Sequence, residues 1–146
     1  MKWILFIGLI CGSFLATSAQ EAMIPEDYAW KNRVILLFAA QADNNLLEQQ
    51  YSALQADTEE ISERDLLIFY VLPDKVSGNG MSQGVQSAKR LRNQYHIKNE
   101  EFCVILIGKD GSEKLRRNNL VEPHELYALI DGMPMRRQEM KTRKEH

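Results

Sequence analysis

Two cysteines, Cys11 and Cys103, are the side chains with the greatest potential for covalent chemistry. Cys11 falls in an N-terminal apolar run treated below, so any thiol chemistry of the folded protein would depend on Cys103. Cys103 belongs to residues 102–107 (FCVILI), a pattern that predicts a strand buried on both faces. An apolar environment raises the pKa of a thiol and makes it unreactive. We therefore interpret Cys103 as a core side chain, with a reactive nucleophile as the alternative.

The histidines, acidic pairs and glycines show no spacing typical of a metal, acid–base or phosphate site. No histidine has a cysteine or carboxylate partner at metal-ligand spacing. The acidic pairs are adjacent in sequence, and nothing predicts that they converge. The Gly78-Asn79-Gly80 segment is followed by no lysine that would meet a phosphate. The residues considered are His96, His124, His146, Glu59, Glu60, Glu100 and Glu101. We predict neither a metal nor a cofactor.

Four arginines form the one constellation that predicts a binding site. They are Arg116, Arg117, Arg136 and Arg137. If the two pairs meet at one edge of a sheet, their guanidinium groups would recognise a carboxylate, phosphate or sulfate. In the alternative interpretation they pair with Asp131, Glu113 or Glu139 and hold the C-terminal segment against the domain.

The N-terminus has the pattern of a secretory signal peptide. A basic start at Lys2 precedes an apolar run over residues 4–15, and Thr17-Ser18-Ala19 supplies small residues for cleavage after Ala19. A run of about 12 residues is too short for a membrane anchor, which needs roughly 20. A lipoprotein cysteine at Cys11 would follow the bulky Ile10 rather than a small residue. We expect residues 1–19 to be removed and the protein to be periplasmic or secreted, without membrane association.

The remaining length suits a single domain, which we place at residues 20–140. The formal net charge of the whole chain is −2. Residues 133–146 carry five basic and two acidic side chains, and we expect residues 141–146 to form a basic, disordered tail. This short basic end is typical of a solvated terminus and not of a nucleic-acid site. The expected partner is an unidentified protein or an anionic molecule.

Hydrophobic periodicity predicts the order β-α-β-α-β-β-α. Buried strands are predicted at residues 33–39, 65–72 and 102–107, and the Asp110-Gly111 turn predicts a hairpin with a polar edge strand over 112–117. Helices are predicted from Asn45 to about Ser62, after Ser82, and from Pro123 to Gly132. Residues 74–81 are predicted to be a mobile loop. The order indicates an α/β fold with a parallel core and an antiparallel edge, in a mixed four-stranded sheet flanked by helices.

Three stretches of the chain resemble a known family. They are residues 28–33 (YAWKNR), residues 107–117 (IGKDGSEKLRR) and residues 130–137 (IDGMPMRR). Together they resemble a thioredoxin-like family of unknown function. That family includes small exported bacterial proteins and a domain of animal sushi-repeat-containing and related matrix proteins. The resemblance implies a thioredoxin-like fold and export, and it implies no activity.

The residues that thioredoxin chemistry needs are absent from the corresponding positions. Dithiol exchange uses two cysteines at a helix N-terminus, but residues 39–45 (AAQADNN) contain none. Glu101 and Phe102 stand where thioredoxins have a cis-proline before the third strand. We therefore expect an exported, non-catalytic binding or adaptor module. The alternative is a thiol-dependent redox or peroxiredoxin-like enzyme that acts through the lone Cys103.

Overall fold

A computed structural model describes residues 23–145, and the predicted signal peptide lies outside the described residues. The described part contains one sheet in the order β4-β3-β2-β1-β5-β6. Its strands are β1 (Arg33–Phe38), β2 (Leu66–Val71), β3 (Val76–Gly78), β4 (Met81–Gln83), β5 (Cys103–Ile107) and β6 (Glu113–Arg117). Its α-helices are α1 (Asn45–Gln55), α2 (Thr58–Glu63), α3 (Val85–Tyr95), α4 (Pro123–Asp131) and α5 (Pro134–Lys144).

The two central strands are apolar because both of their faces are covered. On one face, α1 and α4 contribute Leu47, Leu54, Leu126 and Ile130 to a core with alternate residues of the strands. On the other face, α3 contributes Ala88, Leu91 and Tyr95 to a second core. The α/β class and the thioredoxin-like arrangement predicted from the sequence are confirmed, since β2-β1-β5-β6 forms a mixed sheet between these layers. No helix within residues 23–145 is long and apolar enough to cross a membrane.

The sheet has six strands in the described residues, where the sequence predicted four. The two additional strands form a hairpin over the segment predicted to be a mobile loop. Asn79 and Gly80 both have positive φ, 50° and 76°, as a two-residue hairpin turn requires. Gly78 lies so close to β2 that a Cβ there would approach the Ile68 carbonyl oxygen to 2.2 Å. The hairpin therefore needs these glycines and is anchored by the buried Val76.

The predicted parallel core is correct for β1 and β2 and wrong for β5. β1 and β2 pair in parallel, whereas β5 runs antiparallel to β1 with Cys103 opposite Phe38. The path of the chain between β4 and β5 causes the difference. The β3–β4 hairpin leaves and returns to the end of the sheet where β2 finishes, with Val71 opposite Val76 and Val76 opposite Gln83. The α3 segment starts from that end and β5 begins there too, so the chain does not cross to the other end of the sheet as a parallel connection would require.

Two helix boundaries also differ from the prediction. The helix expected from Asn45 to Ser62 is divided into α1 and α2, because the Asp57 side chain accepts a hydrogen bond from the Glu60 N–H at 3.1 Å and starts a new helix. The tail expected to be disordered from Lys141 is helical through Lys144. Arg143 holds this last turn by donating to the Glu63 carbonyl oxygen at 2.6 Å.

Candidate functional site

Thiol chemistry in this fold would take place at the end of the sheet where β1 and β2 finish, and in this chain that end carries polar and small side chains. α1 starts there, and its Asn44 cap accepts a hydrogen bond from the Leu47 N–H at 3.1 Å. The loop before it, residues 39–44, contains no cysteine. The cap satisfies one N–H of the helix N-terminus with a neutral amide, and the loop supplies no thiol for redox exchange.

A buried arginine ties together the loops at the same end. Arg92 of α3 is 4% exposed, and its guanidinium donates to the carbonyl oxygens of Ala39 at 2.6 Å, Val71 at 2.9 Å and Lys98 at 2.6 Å. It also lies 5.6 Å from the centre of the Phe38 ring. Burial lowers the pKa of Arg92, which nevertheless remains far above neutral pH for a guanidinium. Arg92 therefore fixes three chain segments from inside the fold.

Cys103 is buried in the core, as its place in an apolar strand predicted. Its side chain is inaccessible to solvent, and the sulfur lies 3.9 Å from both the Val104 carbonyl oxygen and Asn118 Oδ1. Burial raises the pKa of the thiol to about 11. At neutral pH the sulfur is consequently protonated, and no oxidant or substrate of any size reaches it without local unfolding.

The structure places the two arginines of β6 in local contacts. Arg116 forms a two-pronged ion pair with Glu113, with N–O distances of 2.9 and 2.7 Å, and donates to the Tyr95 carbonyl oxygen at 2.9 Å. Arg117 is half-exposed and lies 3.7 Å from Glu125. These partners belong to β6 and its neighbours, not to the C-terminal segment.

The two arginines of the C-terminal segment have opposite environments. Arg136 is 1% exposed and forms ion pairs with Glu63 at 2.6 Å and Asp131 at 3.0 Å. Arg137 is exposed and has no ion pair with any residue in 23–145. The four arginines share no carboxylate partner, so the geometry favours the alternative of separate structural ion pairs for Arg116 and Arg136. Arg137, which has no ion pair within residues 23–145, and the half-exposed Arg117 are the two of the four that are accessible to solvent.

A cluster of ion pairs lies at the opposite end of the sheet, where β1 and β2 begin. We call it the clasp. Arg33 at the start of β1 is 1% exposed and forms a two-pronged pair with Glu139 of α5, both distances being 3.2 Å. Lys109, just after β5, reaches Glu139 at 2.7 Å and Asp65 at 2.8 Å. The clasp therefore joins the beginnings of two strands and the end of a third to α5.

Asp131 extends the clasp to the end of α4. Its carboxylate pairs with Arg64 at 2.6 Å and with Arg136 at 3.0 Å, and Arg64 also pairs with Glu60. Burial by itself would raise the pKa values of Asp131 and Glu139. The hydrogen bonds from their cationic partners outweigh it and hold both pKa values below the usual range. Both groups are ionised at neutral pH, and α5 is held mainly by charge.

An apolar cleft of about 240 Å³ lies beside the clasp. Met133, Pro134 and Met135 form one wall, at the point where α4 ends and α5 begins. The opposite wall comes from the turn between β5 and β6. There the methylene groups of Lys114 pack directly on the backbone of Gly108. A Cβ at position 108 would lie 2.5 Å from the Lys114 Cε, so a larger residue would displace the lysine side chain. The lining residues are Arg33, Gly108, Lys109, Asp110, Lys114, Met133, Pro134 and Met135.

Trp30 lies next to this cleft in an unusual conformation. Its backbone N–H donates to the carbonyl oxygen of the cleft residue Lys109 at 2.6 Å, and its φ of 66° is in the left-handed region. That region is unfavourable for a bulky side chain, so the surrounding structure must impose it. The indole is nevertheless 69% exposed, and Met135 is 38% exposed. Two large apolar side chains are therefore exposed to solvent, Met135 in the wall of the cleft and Trp30 on the segment bonded to Lys109.

These residues were not predicted as a site, although the sequence contained a signal for them. The three stretches that carry the family resemblance are far apart along the chain, and the structure brings them together around one cleft. Residues 28–33 supply Trp30 and Arg33, residues 107–117 supply the turn, and residues 130–137 supply the methionines. Their proximity follows from the direction of β5 and from the path of the chain after α4, which local patterns do not reveal.

A larger cleft of about 510 Å³ lies between α1 and the loop before α4, but it is more open and polar. Its buried polar group, Gln50, is fully used: the side-chain amide donates to the Val121 carbonyl oxygen at 2.9 Å and accepts from the Val121 N–H at 2.7 Å. No group of three or more potential metal ligands is present within residues 23–145. The cleft beside Trp30 is therefore the better candidate site.

The fold and the two ends of the sheet define a thioredoxin-like domain without a dithiol centre. The chain belongs to the family described as a domain of unknown function, DUF4174, whose match covers residues 24–139. The family resemblance predicted from the three stretches is thereby confirmed. The matched range also encloses the whole of the cleft and the whole of the clasp.

The relatives that match are much longer proteins. The chain is 28% identical over 152 residues to the sushi repeat-containing protein SRPX of Rattus norvegicus, covering 90% of this chain and 32% of that protein. It is 27% identical over 130 residues to the coiled-coil domain-containing protein 80 of Danio rerio, covering 77% of this chain and 15% of that protein. The chain thus spans a third or less of the length of these relatives.

Among solved structures, the chain is similar to the reduced form of the 2-Cys peroxiredoxin from Plasmodium vivax. The TM-score is 0.60 at 15% sequence identity, and the match covers 78% of this chain and 84% of that one. Because the identity is so low, the similarity concerns the fold and not the chemistry.

Proposed function

We propose that the chain is an exported, non-catalytic binding module that docks a partner protein at the cleft beside Trp30. One observation carries the proposal: an apolar cleft has the exposed Met135 in its wall, and the backbone of its lining residue Lys109 is hydrogen-bonded to the exposed Trp30. The predicted signal peptide supports a periplasmic or secreted location. The match to a limited part of longer relatives supports the role of a module that works together with other domains.

The physical properties of this surface suit protein recognition. Tryptophan and methionine are enriched in the centres of interfaces, where burial of large apolar area supplies most of the binding energy. The clasp fixes the cleft walls before a partner arrives, so binding orders few side chains. Catalysis has no comparable support, since the lone thiol of the domain, Cys103, is buried and protonated.

Site-specific photo-crosslinking tests the proposal. Met135 and Leu129 are both 38% exposed and lie on consecutive helices, so they form a matched pair of positions for a photoreactive amino acid. In cells that export the protein, we expect a light-dependent adduct from position 135 and little from position 129. Adding Trp30→Ala to the position-135 variant should suppress that adduct. Equal adducts at both positions, or an adduct that persists without the indole, would overturn the proposal.

A further inference from the structure

We infer that a second cavity, at the opposite end of the sheet from the docking cleft, binds a small zwitterion that carries a methylated ammonium group and an acid group. The cavity has a volume of about 210 Å³ and lies between the first turns of α1 and the end of β2. Its lining residues are Ala42, Leu47, Glu48, Tyr51, Tyr70 and Lys75. In open α/β sheets, small ligands commonly bind at the carboxyl ends of parallel strands, and β1 and β2 are such a parallel pair.

Two tyrosine rings form an aromatic corner in this cavity. The rings of Tyr51 and Tyr70 are nearly perpendicular, at 85°, and their centres are 5.9 Å apart. The buried Leu47 adds an apolar surface to the same lining. Perpendicular rings turn two π faces towards the space between them, and π faces attract cations. Because the surroundings are apolar, the corner suits a cation with an apolar surface, such as a methylated ammonium group.

One charge of each sign lines the same cavity, and no neighbouring group neutralises either of them. Glu48 and Tyr51 are one turn apart on α1, so the carboxylate and the ring share a face of the helix. Lys75 is held in the turn after β2, where its carbonyl oxygen accepts a hydrogen bond from the Leu72 N–H at 2.9 Å. The Glu48 and Lys75 side chains are exposed, and within residues 23–145 neither forms an ion pair with the other or with any other group.

This arrangement favours a zwitterion over an ion of either sign. The lining carries one carboxylate and one ammonium group, so its formal charge is zero. A simple cation would be repelled by Lys75, and a simple anion would be repelled by Glu48. A molecule with both groups can place its ammonium group in the aromatic corner beside Glu48 and its acid group on Lys75. Since the cavity is smaller than the roughly 300–1,000 Å³ typical of cofactor pockets, the ligand is about the size of an amino acid.

Trimethylglycine is a suitable probe, because each of its three features can be removed separately. Choline keeps the trimethylammonium group and lacks the acid group. In tert-butylacetate a carbon replaces the charged nitrogen without a change of shape, and glycine lacks the methyl groups. In NMR titrations of isotope-labelled protein, we expect trimethylglycine to shift the amide signals of residues 47–51, Tyr70 and Lys75 in a saturable way. Each of the three analogues should bind at least about fivefold more weakly.

Charge-removing variants assign each end of the ligand to its partner. Glu48→Gln should weaken trimethylglycine and choline about fivefold and should not weaken tert-butylacetate. Lys75→Gln should weaken trimethylglycine and tert-butylacetate about fivefold and should not weaken choline. The matched controls are Glu59→Gln and Lys89→Gln, which remove exposed charges that have no ion pair within residues 23–145 and should leave binding unchanged.

A pair of variants at Tyr51 separates recognition of the cation from the stability of the fold. Tyr51→Phe keeps the aromatic face and should bind trimethylglycine within about twofold of the parent chain. Tyr51→Leu removes the face and should weaken trimethylglycine about fivefold, while its affinity for tert-butylacetate stays the same. A general loss of folding would instead weaken both ligands together.

Several results would overturn the inference. One is an affinity for tert-butylacetate or glycine equal to that for trimethylglycine, and another is an equal loss of binding in the control variants. Signal shifts that do not saturate, or that lie away from α1 and the end of β2, would also overturn it. None of these results affects the proposed docking function, which the crosslink from position 135 tests at the other end of the sheet.

Discussion

At the scale of single residues, the two ends of the sheet differ in whether their notable side chains are buried or exposed. Arg92 and Cys103 lie near the end where thioredoxin chemistry would occur, and both are inaccessible. Trp30 lies at the other end, beside Lys109, and is exposed. The proposed docking site is therefore at the end of the sheet that thioredoxin chemistry does not use.

Cys103 should be unreactive in the folded protein. The thiol is buried and its pKa is raised to about 11, so both access and ionisation limit its reaction. We expect a thiol reagent at neutral pH to label native Cys103 at least about 100-fold more slowly than the unfolded chain. Cys103→Ala should lower the free energy of unfolding by about 1–2 kcal/mol and leave the crosslink from position 135 unchanged. Labelling of the native protein at the rate of the unfolded chain would contradict this prediction.

Arg92 should be among the most sensitive positions for stability. Replacing it with alanine leaves the carbonyl oxygens of Ala39, Val71 and Lys98 without their donors and opens a cavity beside Phe38. We expect the free energy of unfolding to fall by about 3–5 kcal/mol in urea denaturation. Lys89→Ala, an exposed position on the same helix, serves as the control and should change it by less than about 0.5 kcal/mol. Similar losses from both variants would disprove the role assigned to Arg92.

At the scale of elements, α5 is attached mainly through charged groups. Arg136 is its one buried residue, and the ion pairs of Glu139, Arg136 and Arg143 connect it to the beginnings of β1 and β2. Since the same helix contributes Pro134 and Met135 to the cleft, loss of its docking would also remove one cleft wall.

The docking of α5 should consequently depend on pH in the acid range. The folded-state pKa values of Asp131 and Glu139 lie below their ordinary values of 3.8 and 4.5. Their contribution to stability is therefore complete above those ordinary values and is lost as the pH falls through the lower folded-state values. We expect the free energy of unfolding to decrease below about pH 4.5. Glu139→Gln should remove part of that slope, whereas the exposed Glu145→Gln should retain all of it.

At the scale of the whole molecule, local patterns predicted which segments form strands and helices but not the direction of every strand. Continuous apolar runs identified β1, β2 and β5, since strands covered on both faces must be apolar. The antiparallel direction of β5 depends on the path of the α3 segment, which starts and finishes at the end of the sheet where β2 ends, and no local pattern specifies that path. The β3–β4 hairpin was also missed, although Asn79-Gly80 is a strong turn signal. The cleft was not predictable in the same way. Its walls come from stretches that meet only after the sheet and α5 have assembled.

The intact protein should have no disulfide reductase activity. The reason is that the segment before α1 lacks a cysteine pair altogether, and not that a cysteine there has an unsuitable pKa. With insulin as substrate and dithiothreitol as the thiol donor, we expect turbidity to develop at the rate of the buffer control. Thioredoxin in a parallel reaction is the positive control. A rate above that of the buffer would favour the alternative hypothesis, a thiol-dependent enzyme that acts through Cys103.

At position 30 the left-handed backbone favours glycine, whereas the proposed docking depends on the tryptophan side chain. Glycine adopts this conformation without strain, so Trp30→Gly should leave the free energy of unfolding equal to or above that of the parent chain while removing the exposed indole. A screen that selects only for thermal resistance would therefore accept this substitution, and the resulting protein would lack a side chain on which the proposed docking depends. Position 30 is thus where selection for stability would first act against the proposed function.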